Sequence, residues 1–134
     1  MKLITKNSDY AIRALIVLAK NKNTYLPSSK IAKEQNIPYQ FLRSILQSLI
    51  RNNLVVSKEG GGGGFKIDAD PKDISVVDVI KIFQGNLQLT ECMFRRKICM
   101  NRSTCILRKG IKRVEKIVEK EFDRMTLARL LKKK

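Results

Sequence analysis

A mainly α-helical chain with one small β wing, a winged helix-turn-helix followed by a long dimerisation helix, is what this sequence predicts. Three observations carry that expectation. Apolar residues recur at steps of three and four through most of the chain, the period of a helix with one buried stripe. Two short β-prone runs flank five successive glycines, Gly60 to Gly64. Beyond residue 105 a last apolar repeat continues for about five helical turns, with nothing left in so small a domain to cover it.

The first helix is expected over residues 9–20, where Tyr10, Ile12, Leu15, Val17 and Leu18 alternate with Ala11, Ala14 and Ala19 before the polar Asn21, Lys22 and Asn23. Pro27, Ser28 and Ser29 signal the start of a short helix that turns Ile31 and Ala32 inward and stops near Asn36. Pro38 suits the beginning of the next, because the amide proton it lacks has no partner in a first turn. That third helix carries Phe41, Leu42, Ile45, Leu46, Leu49 and Ile50 inward and ends at Asn52 and Asn53. Its other face is polar: Tyr39, Gln40, Arg43, Ser44, Gln47 and Ser48. Two helices joined by a tight turn, the second with such a face, have the form of a helix-turn-helix.

Residues 54–57 and 65–67 read as the strands of a hairpin wing. No Gly-Lys-Ser/Thr follows the glycines, and Phe65 comes next, so the stretch is not read as a phosphate loop. Ser75, with Asp78 three residues on, comes close to a capping box for a helix whose stripe is Val76, Val79, Ile80 and Phe83 and whose end is Gln84, Gly85 and Asn86. Leu107, Ile111, Val114, Val118, Phe122 and Met125 mark the long helix, for which a second copy of the chain is the natural cover and its own domain the alternative. Thr126 starts a last short turn over residues 127–131, ahead of Lys132, Lys133 and Lys134. The expected division is a DNA-binding domain over residues 1–84, a cysteine loop over 85–105 and a dimerisation helix with its tail over 106–134.

Charge narrows the function. The 28 Lys and Arg against 12 Asp and Glu leave a net charge of +16, the balance of a protein that meets polyanions such as double-stranded DNA. No apolar run approaches the roughly 18 residues of a membrane span, and Met1, Lys2 and Leu3 lead into structured sequence without a signal peptide. A cytoplasmic location without a membrane partner is expected. His is absent, which removes the usual general base, the Ser-His and Cys-His couples and the commonest zinc ligand, so an enzyme is not expected.

Cys92, Cys99 and Cys105 are the only cysteines, and they fall within fourteen residues. Their C-x6-C-x5-C spacing is too wide for the paired C-x-x-C knuckles of a zinc site. From Met93 to Arg113 there are eight Lys or Arg and no Asp or Glu. Such a field favours thiolates, the form that binds metal, and offsets the negative charge of an iron-sulfur cluster. An odd cysteine count in the cytosol also argues against a disulfide framework. Three ordinary structural cysteines are the alternative, although such residues normally sit on apolar faces and these have Glu91, Arg96, Met100, Asn101 and Thr104 around them.

In their order, these parts resemble the IscR/NsrR-type transcription regulators of the Rrf2 family over essentially the whole chain. The matching segments are Met1-Lys2-Leu3, Asp9-Tyr10-Ala11-Ile12-Arg13-Ala14-Leu15, Ile31-Ala32, Ile37-Pro38, Leu54-Val55, Gly62-Gly63-Gly64-Phe65 and the three cysteines. The resemblance implies a homodimeric repressor or activator, a redox sensor whose affinity for an operator is set by an iron-sulfur cluster, 2Fe-2S or 4Fe-4S, on Cys92, Cys99 and Cys105. Members of the IscR kind place a histidine three positions after the third cysteine as fourth ligand, where this chain has Arg108. The NsrR kind uses an acidic residue near the N-terminus of the other subunit, and Asp9 stands at the matching position. Ser8, Glu91 or an exogenous thiol or water are its rivals, and Asp9 would equally serve as a helix cap. On the DNA side, base contacts are expected from Gln40, Arg43, Ser44 and Tyr39 on the polar face of the third helix, since Arg reads guanine and Gln adenine, and phosphate contacts from Lys6, Lys30, Lys33 and Lys58, each of which is alternatively a solvated surface charge. Ser28 is grouped with these. An arginine that enters the minor groove commonly precedes the first wing glycine in the family, whereas here Glu59 occupies the place, leaving Lys58 or Lys66 to meet phosphate. A clusterless regulator of the same fold and an iron-sulfur electron carrier are the other readings.

Overall fold

Thr5 sets where the first helix begins. In this computed structural model, which describes residues 3–87, 89, 93–94, 97–98 and 104–132, the Thr5 hydroxyl accepts the backbone N–H of Ser8 at 3.4 Å and helix α1 runs Lys6–Lys20. The expected start at residue 9 is therefore three residues late, because a polar first turn carries no apolar spacing. Asp9 is not the cap that its residue type suggested. It lies inside the first turn, its own N–H given to the Thr5 carbonyl at 2.9 Å.

Helices α2, Ser28–Gln35, and α3, Tyr39–Arg51, follow a common design: Pro27 and Pro38 stand just before their first residues in extended backbone, and neither helix has a side-chain cap. Asn36 ends α2 in the left-handed region, φ 53°, where Asn is among the few residues that sit readily. The inward stripe of α3 is as expected, with Leu42, Ile45, Leu46 and Leu49 buried and Phe41 and Ile50 partly covered. All three helices bury into one core. Helix α1 is its centre, with Ala11, Ala14, Leu15, Val17 and Leu18 inaccessible to solvent.

The wing is an antiparallel pair, β1 at Val55–Lys58 and β2 at Gly64–Ile67, with Val55 opposite Ile67 and Lys58 opposite Gly64. Leu26 adds a third rung, giving its N–H to the Phe65 carbonyl at 2.8 Å and taking the Phe65 N–H at 2.7 Å. That approach explains Gly64: its φ is +139°, and a Cβ there would run into the Leu26 carbonyl and the Pro27 nitrogen.

After a 3-10 turn at Pro71–Asp73, Ser75 caps α4, Val76–Gln84, with both halves of the capping box made, Asp78 N–H to Ser75 Oγ at 3.2 Å and Ser75 N–H to Asp78 Oδ2 at 3.0 Å. The cysteine segment, expected as plain loop, holds a short antiparallel hairpin of β3, Met93–Phe94, and β4, Lys97–Ile98. Two-residue strands are too short to register as a period-2 pattern.

Helix α5 runs Ile106–Arg124. One edge of its expected apolar stripe, Ile111, Val118 and Phe122, is partly covered on the flank that meets α4 through the Lys81–Glu119 ion pair, 3.4 Å. The other edge is open. Leu107 is 70% exposed and Val114 48%, and Ile117 and Ile106, which the stripe did not include, are 59% and 85% exposed. Last comes α6, Leu127–Lys132, started as expected by Thr126, whose hydroxyl takes the Arg129 N–H at 3.2 Å. It returns to the N-terminal core: Leu127 is buried there, its N–H bonded to the Ile74 carbonyl at 2.9 Å, while Met125 accepts from Val76 N–H at 2.9 Å. This anchor was not foreseen.

Leu127→Ala should therefore lower stability by about 2–5 kcal/mol, the usual range for emptying a buried leucine site. Urea unfolding followed by circular dichroism checks this; a change under about 0.5 kcal/mol, as for a surface position, would make α6 a dispensable tail.

Candidate DNA interface and cysteine segment

The polar face of α3 is turned to solvent. Tyr39, Gln40, Arg43 and Ser44 are all exposed, and Tyr39 at 54% is unusually open for an aromatic. Opposite them the buried leucines and isoleucines hold the helix against α1, so the exposed side chains stand on a rigid support. Ser44 Oγ also reaches the Phe41 carbonyl at 3.1 Å. The structure joins the two helices at this face: the hydroxyls of Ser28, first residue of α2, and Tyr39, first residue of α3, are 3.4 Å apart. Lys30 and Lys33 are exposed on α2.

Lys6 reaches the same region from α1. Its Nζ lies 5.4 Å from the centre of the Phe41 ring, and Tyr10 packs on Phe41 with ring centres 6.2 Å apart. Lys58 sits on the wing, 5.7 Å from the Tyr25 ring centre, with Lys66 at 4.8 Å from the same ring. Tyr25 had drawn no attention in the sequence. The signal was present in the chain, since Leu26 followed by Pro27 and a helix start is an extended segment able to pair with a strand, but its partner was not deducible from spacing.

Of the expected cluster ligands, Cys92 and Cys99 lie outside the described residues, as does the rival Glu91. Their sequence neighbours Met93 and Ile98 are cross-strand partners in the β3–β4 pair. Cys105 is half-buried at the N-cap of α5, its Sγ accepting the Arg108 N–H at 3.4 Å. A sulfur there faces the positive end of the helix dipole, and Arg108, Lys109, Lys112 and Arg113 follow it within two turns. That setting fits a soft, anionic thiolate ligand of an iron-sulfur cluster. Asp9 makes an ion pair with Arg13 at 2.8 Å, and Ser8 is fully buried beneath it. Among the described residues, no three of the His, Cys, Asp or Glu side chains converge as a metal site within one chain.

One more carboxylate bears on the segment. Glu115 of α5, only 9% exposed, accepts the Leu89 N–H at 2.9 Å and so ties the chain ahead of the cysteines to the long helix. Among the described residues, no helix is long and apolar enough to cross a membrane.

Residues 4–133 match the Rrf2 family, described as iron-dependent transcriptional regulators. Over 105 residues the chain is 31% identical to the HTH-type transcriptional regulator NsrR of Shouchella clausii, covering 78% of this chain and 67% of that protein. Across such relatives the aligned part spans from 58% to 92% of their own lengths. IscR of T. potens superposes with a TM-score of 0.79 at 25% identity, over 98% of this chain and 87% of that one. CymR, the global cysteine regulator of B. subtilis, superposes at 0.77 and 24% identity over 97% and 96%, a likeness of fold alone. With a winged helix whose polar α3 face is exposed and a match running through α6, the chain belongs to the Rrf2 family of transcriptional regulators.

Proposed function

We propose that the protein is a cytoplasmic homodimer that binds one operator sequence in double-stranded DNA, under the control of an iron-sulfur cluster, 2Fe-2S or 4Fe-4S, held by Cys92, Cys99 and Cys105 with Asp9 of the second copy as fourth ligand. The observation that carries the reading is the exposed row Tyr39, Gln40, Arg43 and Ser44 on a helix whose other side is fully buried. In a major groove Arg43 would take guanine and Gln40 adenine, each through two hydrogen bonds, while Ser28, Lys6, Lys30, Lys33 and Lys58 would hold the backbone.

Dimerisation is argued from α5. Ile106, Leu107, Val114 and Ile117 lie along its open side, and Gly110 is on the same side with nothing near the place of a Cβ. A glycine inside a helix costs about 1 kcal/mol against alanine, a cost that close approach of a second helix offsets. Charge favours an antiparallel pair: the first half of α5 carries Arg108, Lys109, Lys112 and Arg113 against Glu115, whereas in the second Lys116, Lys120 and Arg124 are balanced by Glu119, Glu121 and Asp123, so a parallel pair would set the two basic halves side by side. Two such copies would set two α3 helices about one DNA turn, roughly 34 Å, or a multiple apart.

The cluster, when bound, supplies a redox-sensitive and labile group whose ligands must be deprotonated. The chain's own part is to hold thiolates at the basic start of α5. Toward the DNA side, the described contacts run from α5 to α4 through the Lys81–Glu119 pair and from the end of α4 to the start of α1 through Gln84.

Replacing any one of the three cysteines by alanine should remove iron and sulfide from anaerobically purified protein while leaving its helical content intact. Asp9→Asn keeps a neutral polar side chain and removes the anionic ligand, so it should leave a cluster with an altered absorption spectrum and shorter lifetime. Full iron and sulfide occupancy in all three cysteine variants would sink the cluster, and a colourless wild-type protein that binds its operator would make this a clusterless regulator.

Arg43→Ala should cost roughly 1–3 kcal/mol on the operator and relax preference at one base pair, with little effect on random duplex. Equal losses on both would mean that α3 adds charge and reads nothing. For the dimer, Ile117→Glu should shift the sedimenting species toward monomer at micromolar concentration. An unchanged sedimentation profile would remove α5 from the interface.

A further inference from the structure

We propose that Tyr25 is a positioning residue of the DNA interface, its ring gathering the ammonium groups of Lys58 and Lys66 into one doubly charged, phosphate-binding face on the wing. The inference rests on the DNA-binding reading above and deepens it. Its geometry begins with strand alternation. Val55 pairs with Ile67, both buried, and the partly buried Phe65 shares their register, so this register forms the inner side of the hairpin, with Ser57 at its open end exposed. Lys58 and Lys66 belong to the other register and take the outer side. Leu26 is buried and paired with Phe65, which sends Tyr25, one residue earlier, outward as well. Both ammonium groups then fall within about 6 Å of one ring centre, the range of a cation–π contact, at 4.8 Å for Lys66 and 5.7 Å for Lys58.

Two like charges drawn to one ring repel each other, and a bridging anion relieves that repulsion. Preorganisation adds to the argument. A lysine is among the side chains that lose most rotamer freedom on binding, and a ring that already orders it lessens that loss. The platform is itself fixed, because Gly64 is pressed against the Leu26–Pro27 backbone with no room for a Cβ. It is also next to the reading helix: Tyr25 is three residues from Ser28, whose hydroxyl meets that of Tyr39 on α3. At the wing tip Glu59 is exposed, and a carboxylate there is repelled by phosphate. The lysine pair one step back moves the contact of the wing from the groove to the backbone.

The test uses the full chain in one cluster state, titrated with operator and random duplex at several salt concentrations. Tyr25→Leu should weaken binding to both DNAs about five-fold, and Tyr25→Phe should bind as wild type. Lys58→Ala and Lys66→Ala should each lower the salt slope by about one, and each should cost less in the Tyr25→Leu background. In the free protein the ε-methylene protons of both lysines should resonate upfield through the ring current, returning to ordinary positions in Tyr25→Leu and staying upfield in Tyr25→Phe. A ring that only filled space would leave the lysine coupling at zero. Unchanged or tighter binding by Tyr25→Leu overturns the proposal, and so does an equal loss in Tyr25→Phe, which would assign the effect to the hydroxyl. Should the leucine variant unfold, the wild-type lysine shifts and the two lysine slopes still decide. If the wild type binds no DNA in any cluster state, the regulator reading fails; if it binds and neither lysine changes the slope, this proposal alone fails.

Discussion

The burial of α1 is the constraint on which the rest of the molecule depends. Ala11 and Ala14 are inaccessible to solvent, and side chains that small let neighbouring elements come close to the helix backbone. Helices α2, α3, α4 and α6 and strand β2 all pack on it. Because α3 is held from behind by this packing, its outward face can be polar without weakening the core. The same helix carries Lys6 and Tyr10 to Phe41 at the edge of α3, and carries Asp9 in its first turn. The proposed fourth ligand thus sits in the same opening turns of α1 whose Lys6 and Tyr10 touch the edge of the proposed reading helix.

Two side chains fasten the stretch that leads to the cysteines. Gln84, last residue of α4, accepts the Thr5 N–H at 2.9 Å and donates to the Leu3 carbonyl at 3.2 Å, so the start of α1 is clasped by the end of α4. Glu115 holds Leu89 to α5. Burying a carboxylate is costly unless it is hydrogen-bonded, and this one takes a bond from the backbone between α4 and α5. Any change of conformation in the cysteine segment therefore has two points of purchase, one at the N-terminus of the central helix and one on the proposed dimer helix. Neither residue is a ligand in the proposed site. Each instead fixes a neighbouring segment, Gln84 the start of α1 and Glu115 the chain at Leu89.

Legibility in the sequence followed the length of the repeat that each element displays. Helix α3, with six apolar residues at strict spacing and a polar face between them, could be read to within a residue, and so could the capping box of Ser75 and Asp78. Short or mixed elements could not. Strands β3 and β4 are two residues long, and the sequence that separates them, Arg95-Arg96, has none of the Gly, Asn or Asp by which a turn is ordinarily announced. Thr5 does not stand out as a cap in the sequence because Asp9, also a capping type, lies closer to the apolar run. The long-range partners were invisible for a different reason: that Leu127 returns to Ile74, or that Leu26 lies beside Phe65, follows from packing of the whole chain and from no local pattern.

The same distinction explains the candidate site. Residue types that carry chemistry, three cysteines in a basic stretch and a polar helix face, stand out in any sequence; residues that place them do not. Tyr25 and Gln84 have ordinary identities in ordinary positions, and their importance lies in what the fold sets next to them. A net charge of +16 would draw the protein to any polyanion, with contacts that carry no sequence information. Selection of one operator has to come from groups whose positions are fixed before the DNA arrives, since a freely rotating arginine or lysine meets every site about equally well. In this chain the polar face of α3 is fixed by small buried side chains behind it, while the glycine that lets Leu26 lie against the wing and the ring beside two lysines fix the wing's proposed hold on the backbone. Specificity is consequently a property of the core as much as of the surface that touches DNA.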